Sequence, residues 1–420
     1  MPQRASLQSR FAVIVTVIAT GIMIIACFAE YALGTLGPVL GKEMGISTSF
    51  VGILTSVMFA SAGVASLPTG WVVDRFSASV LVLIQILLST VAFAALAFLE
   101  TSRAFLVVVV ITGLIMAMSN PLTNRLVRVH LPAALHVRSV GWKSMGPQMA
   151  ALLAGIVYGL SAHGISWRAL TLVIAVGMAA FGVLSFVLIR RPVMPETDCP
   201  SAAAADEPDL PQETRPIVWW LVPFGFFSGG AIASIGAYIP LYAYQDLRMS
   251  FVQASAAGAV IALASIVGRV LWLRFLTYDN GPVLLIKASV SSAVAVALLA
   301  VSVGLHPVVF WTAVVLTGAT ALVMAPLTQI IVVRNASARH IGVASAWVGI
   351  GLYAGFAFQP WLVASLIDTV GLAYSWYAVS ASGMIAALIM AAYVTSNAKR
   401  RTQALPCPAA TAAVVDHVSS

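Results

Sequence analysis

The sequence predicts an all-α polytopic membrane protein with twelve transmembrane helices. Three observations carry that prediction: an apolar composition, twelve stretches long enough to span a bilayer, and a sided distribution of positive charge. Of 420 residues, 60% are hydrophobic and only 9% charged, against about 25% charged in a soluble domain. A water-facing surface cannot be assembled from so few charges.

A spanning helix takes about 20 mainly apolar residues. Such stretches fall at 11–40, 50–73, 79–99, 104–127, 140–162, 167–189, 217–243, 251–273, 283–304, 307–333, 341–367 and 372–395. The first is too long for a signal-peptide core and shows no cleavage site, so it reads as a span that also directs insertion. With the N-terminus in the cytosol, eighteen of the 22 Lys and Arg fall inside, leaving Lys42, Arg103, Arg168 and Arg248 outside. That asymmetry predicts an even number of spans, both termini in the cytosol, and a bacterial inner-membrane location. It also accounts for the net charge of +8 without nucleic acid as a partner. Cys27, Cys199 and Cys407 lie far apart and match no metal-ligand spacing, so neither a metal nor a cofactor is expected.

The segment from Arg190 to Arg215, between spans six and seven, holds five prolines and six acids, Glu196 to Glu213. It buries too little apolar area to fold and behaves as a linker. The expected organisation is a six-helix bundle over 1–190, a cytoplasmic linker over 191–216, a second bundle over 217–396 and a cytoplasmic tail over 397–420. The bundles resemble one another. Thr112-Gly113 and Pro121-Leu122-Thr123 in span four recur as Thr317-Gly318 and Pro326-Leu327-Thr328 in span ten, displaced by 205 residues. Ala65-Ser66 and Arg75-Phe76 recur as Ala264-Ser265 and Arg274-Phe275 at 199; Arg138 and Gly141 recur as Arg339 and Gly342 at 201. Small residues are common here, so the shared order and offset carry the weight. They predict two bundles related by a pseudo-two-fold axis, an arrangement that places a transporter's site near the midplane.

Gly70-Trp71-Val72-Val73-Asp74-Arg75, in the loop after span two, resembles the G-x-x-x-D-R signature of the major facilitator superfamily, and the resemblance extends over essentially the whole chain. It implies a gate, built on Gly70, Asp74 and Arg75, that holds the cytoplasmic side closed in the outward-facing state. The chain departs from the signature after Arg75, where Phe76-Ser77-Ala78-Ser79 replaces the usual glycine and basic residues. The plainer alternative is a tight loop anchored at the membrane surface.

Thirteen of the fourteen acids lie in loops, tails or span edges; Glu30 lies inside span one. A carboxylate there is costly unless it faces a water-filled cavity, pairs with a cation or takes a proton. Proton coupling or substrate contact is the functional reading, and snorkelling to the outer surface the plain one. A second polar group lines the cytoplasmic half: Asn120, Asn124 and Arg125 on span four, Lys143 and Gln148 on span five, and Gln329 on span ten. Lys143 either snorkels or serves an anion site. Arg269 after Gly268 resembles the Gly-Arg of organic-anion and monocarboxylate carriers of the superfamily, although positive-inside bias also accounts for it. Tyr31 is a further candidate for the substrate cavity.

The expected function is secondary transport of a small molecule by alternating access, with a small organic anion as substrate and a proton as coupling ion. The expected chain is a monomer in lipid. A drug/proton antiporter is the first alternative, since Gly146-Pro147 resembles the antiporter core; against it, Ala150 and Ala151 stand where that signature has glycines. A non-transporting sensor is the second. No catalytic constellation and no phosphate-binding loop is present, so an enzyme is not expected.

Overall fold

The computed structural model describes residues 2–44, 48–160, 164–190, 217–277, 280–337 and 340–403, all helix or short connection. The expected linker, 191–216, and the residues from 404 onward lie outside the described residues. The last helix runs to Gln403, so the expected tail over 397–420 starts as helix.

Twelve spans follow in order. Nine are continuous helices: span 1 Pro2–Met44, span 2 Thr48–Arg75, span 3 Ala78–Ala95, span 6 Trp167–Arg190, span 7 Ile217–Gln245, span 8 Phe251–Arg274, span 9 Gly281–Ala300, span 11 Ile341–Val370 and span 12 Leu372–Gln403. Three are broken: span 4 into Ser102–Met116 and Ser119–His130, span 5 into Ala133–Lys143 and Gly146–Gly159, span 10 into Pro307–Ala321 and Met324–Asn335. Eleven of the twelve are long and apolar enough to cross a membrane as they stand. Span 5 is the exception.

A proline follows each of the three breaks. Pro121, Pro147 and Pro326 lack the N–H that would bond the carbonyls of Ala117, Lys143 and Leu322, four residues earlier. The turns fall at 117–118, 144–145 and 322–323, where the freed carbonyls begin. In span 5 the side-chain nitrogen of Gln148 serves the loosened turn, donating to the carbonyls of Ser144 (3.1 Å) and Met145 (3.2 Å).

Small residues set how closely the helices approach. Gly113 lets span 4 meet the backbone of span 2 at Met58, and its counterpart Gly318 lets span 10 meet span 8 at Ile261. Gln85 on span 3 bonds Ser119 on span 4 at 2.5 Å. Their counterparts Ser289 and Met324, on spans 9 and 10, meet at 3.2 Å. In the second half Gly225 and Gly229 on span 7 face Gly351 and Gly355 on span 11; a Cβ on Gly351 would strike the Val222 carbonyl. Backbone cannot yield as a side-chain tip can, so Gly351→Ala is expected to destabilise by about 1–3 kcal/mol. A thermal midpoint in detergent that falls by several degrees would show it, and an unchanged midpoint would contradict the close packing.

Apolar side chains that point outward, such as Val64, Val91, Leu152, Val173 and Leu263, cover the bundle exterior where lipid replaces water. On a water-soluble protein so much exposed apolar surface would drive association.

Candidate functional site

The two halves are joined at the end that carries Asp74. Span 11 begins at Ile341, so the first N–H groups of that helix have no partner within it. Asp74, at the end of span 2 in the other half, supplies one: its two carboxylate oxygens accept from the N–H of Gly342 (2.7 Å) and of Val343 (2.9 Å). A carboxylate is favoured at this point by the helix dipole as well. Gly70 makes the approach possible. A Cβ there would stand 2.6 Å from Ala346 Cβ and 2.8 Å from the Gly342 carbonyl.

The basic residues here do different work. Arg75 turns away from the seam and lies over the Trp71 ring, 3.8 Å from its centroid. Arg125 bonds the carbonyls of Val73 and, at 2.6 Å, Phe76, closing the otherwise open C-terminal end of span 2, and it lies near enough to Asp74 to act on it electrostatically.

The repeat places a second seam where spans 8 and 5 meet, with Arg269, Leu273 and Gly141 at the positions of Gly70, Asp74 and Gly342. Gly141 does pack on Leu273, a Cβ standing 3.0 Å from its Cδ1. Leucine suffices because the helix bearing Gly141 starts eight residues earlier, at Ala133, so no helix start lies opposite position 273 to be capped. Arg269, one turn from Leu273, shares the face that meets the opposite half. It is 2% exposed, and among the described residues its Nε and Nη1 have no hydrogen-bond partner.

Further along the same interface lies a mixed polar and aromatic cluster. Glu30 and Tyr31 on span 1 are partly buried and share their surroundings with Cys27, also on span 1, and with Tyr353 on span 11. Asn120 on span 4 offers its side chain to the Tyr353 hydroxyl. Phe59 on span 2 stacks on Tyr353 (6.2 Å between centroids) and meets Phe356 edge-on (5.0 Å). Among the described residues Glu30 has no cation and no hydrogen-bond partner. The ion pair in the same half, Glu43 with Arg168 at 3.2 Å, joins the ends of spans 1 and 6 remote from Asp74.

Lys143 is fully buried, and its Nζ donates to Thr123 Oγ1 at 2.8 Å within its own half. Asn124 and Gln329 are buried against each other across the halves, the Asn124 amide donating to Gln329 Oε1 at 2.6 Å and to Ser345 Oγ at 2.8 Å. Sequence reasoning missed Ser345, Phe59, Tyr353 and Phe356. Ser345 was within reach, as the counterpart of Ser144 at the 201-residue offset. The aromatic residues carry no pattern that separates them from interfacial aromatics.

The interface is therefore sided. Segments that meet across the halves are spans 2 and 11, the Ser119–His130 part of span 4, the Ala133–Lys143 part of span 5, the Met324–Asn335 part of span 10, and span 8. The outer parts of spans 4, 5 and 10 make no comparable contact with the opposite half.

A duplicated six-helix unit with this loop signature matches a known profile: that of the Major Facilitator Superfamily covers residues 19–360. The chain belongs to the major facilitator superfamily. It is accordingly a membrane transporter and not an enzyme. Three solved structures share this major facilitator fold. The proton:xylose symporter XylE is similar with a TM-score of 0.77 and 14% identity, over 92% of this chain and 96% of that one. The human organic anion transporter MFSD10 gives 0.73 and 14%, over 91% and 99%. The FucP transporter in its outward conformation gives 0.67 and 15%, over 90% and 98%. No curated protein matches by sequence.

Proposed function

We propose that this transporter carries a small organic anion together with a proton, with Arg269 receiving the anion and Glu30 the proton. One observation carries the reading: two groups of opposite charge, Glu30 in one half and Arg269 in the other, have no counter-ion among the described residues, and the Nε and Nη1 of Arg269 have no hydrogen-bond partner there. A buried guanidinium with two unpartnered nitrogens is a ready partner for a carboxylate, which it binds with fixed geometry. A carboxylate without a cation in a membrane interior is stable when it holds a proton. The positive-charge asymmetry supports assigning the sealed Asp74 end to the cytosol of a bacterial inner membrane. On that assignment the state described is outward-facing. MFSD10, an organic anion transporter, and the two sugar carriers XylE and FucP, both proton symporters, keep both parts of the proposal within what this fold supports.

Uptake in proteoliposomes tests it. Small monocarboxylates and dicarboxylates are expected to raise the thermal midpoint of the native protein. Arg269→Gln should raise the half-saturating concentration about tenfold, the loss of one charged hydrogen bond. An organic acid transported equally well by native and Arg269→Gln protein would end the anion assignment. A second reading has its own support: Phe59, Tyr353 and Phe356 offer ring faces of the kind that stack on a neutral, sugar-like substrate. Under it, sugars and not acids shift the midpoint. Resistance to ethidium gained on expression in a pump-deficient host would favour the antiporter alternative.

A further inference from the structure

Asn124 and Gln329 lie 205 residues apart, the same displacement that relates Pro121 to Pro326 and Gly113 to Gly318. Each is therefore the other's counterpart in the repeat. Two equivalent positions that touch must lie on the pseudo-two-fold axis itself, as residue i meets its own copy in a symmetric dimer. We propose that Asn124, Gln329 and Ser345 form an uncharged latch at the centre of the sealed end, which holds the two halves together and must break each time that end opens.

Four features favour a latch over a substrate contact. Asn124 and Ser345 are fully buried and Gln329 is 5% exposed, so in this state no substrate reaches them. Both Asn124 N–H groups are used across the interface, one on each of two elements of the other half. The prolines that follow the breaks in spans 4 and 10 lie three residues before Asn124 and Gln329, so both residues ride on the short segments, Ser119–His130 and Met324–Asn335, that the breaks free to tilt. Finally, a neutral latch opens at little cost, because water entering the opened end satisfies the same amides. A charged pair here would be harder to separate and sensitive to pH. The latch holds whatever the substrate is; its test does not depend on the anion reading.

Cys27, buried beside Glu30, serves as the reporter. With Cys199→Ser and Cys407→Ser in place, a membrane-impermeant maleimide added from the Asp74 side reaches Cys27 only when that end opens. Gln329→Ala is expected to speed labelling about fivefold, the effect of one net hydrogen bond, and Asn124→Ala more, since it loses two. Because the two share a bond, the double variant should label no faster than Asn124→Ala alone. The exchange of the two side chains, Asn124→Gln with Gln329→Asn, should bring labelling back near the native rate, which a merely structural packing role would not do. The ratios of variant to native rate should be flat between pH 5.5 and 8. Equal labelling in all variants, or single effects that multiply in the double variant, would overturn the latch. A thermal midpoint measured for each variant separates opening from unfolding, and a labelling gain that tracks a lowered midpoint likewise counts against it.

Discussion

Glu30→Gln is expected to abolish accumulation of substrate against a gradient while leaving exchange across the membrane measurable. One charge moved through 100 mV contributes about 2.3 kcal/mol, which corresponds to about a 50-fold concentration ratio. If Glu30 is the group that carries the proton, the glutamine variant loses that driving force entirely and equilibrates substrate at a ratio near one. Counterflow of labelled against unlabelled substrate needs no proton and should persist. Both measurements use the same proteoliposomes, with and without an imposed proton gradient. Accumulation that survives in the variant at the native level would remove Glu30 from the coupling mechanism. The side chain is well placed for the role: it has no competing cation among the described residues, and its neighbours Tyr31, Cys27 and Tyr353 are polar but uncharged in neutral solution.

Asp74→Ala should shift the balance between sealed and open states by about 100-fold. Two hydrogen bonds to a carboxylate are lost, each worth about 1.5–3 kcal/mol, and the half-buried setting lowers the total to about 3 kcal/mol. The Gly342 and Val343 N–H groups are then left with water alone. Labelling of Cys27 from the Asp74 side reads the shift directly, and Asp74→Asn should fall between, since it keeps one acceptor oxygen but no charge. Native-rate labelling in Asp74→Ala would mean that the carboxylate caps span 11 without holding the halves closed. Arg75→Ala, by contrast, should change little, because that guanidinium rests on Trp71 of its own helix.

The asymmetry between the two seams explains why one carries an acid and the other does not. Span 11 starts at the seam and needs a cap there; the segment Ala133–Lys143 passes the corresponding point as continuous helix. Position 273 is thereby free to be leucine, and position 269, where close approach would otherwise demand a glycine like Gly70, holds the buried arginine instead. Duplication supplied two equal interfaces, and local helix boundaries allowed them to diverge.

Much of this architecture was legible in the residues alone. Apolar length marked the spans, since a bilayer of fixed thickness imposes a minimum run. Where the spans break was not legible: Pro121, Pro147 and Pro326 sit at breaks, while Pro68, Pro223, Pro240 and Pro360 lie inside unbroken helices. The offset near 200 residues marked the repeat. What the sequence left open were contacts between residues distant along the chain. Asp74 and Arg75 are adjacent in sequence, yet one crosses to the other half and the other folds back on its own helix. Lys143 and Arg269 look alike as lone cations in apolar helices, yet Lys143 is satisfied by Thr123 inside its own half while the Nε and Nη1 of Arg269 are unpartnered among the described residues. Sequence determined the number of helices and that two halves repeat, because those follow from the bilayer and from order along the chain. Only the tertiary structure decided which polar groups meet across the halves, because a pseudo-two-fold axis brings together positions that 205 residues of chain keep apart.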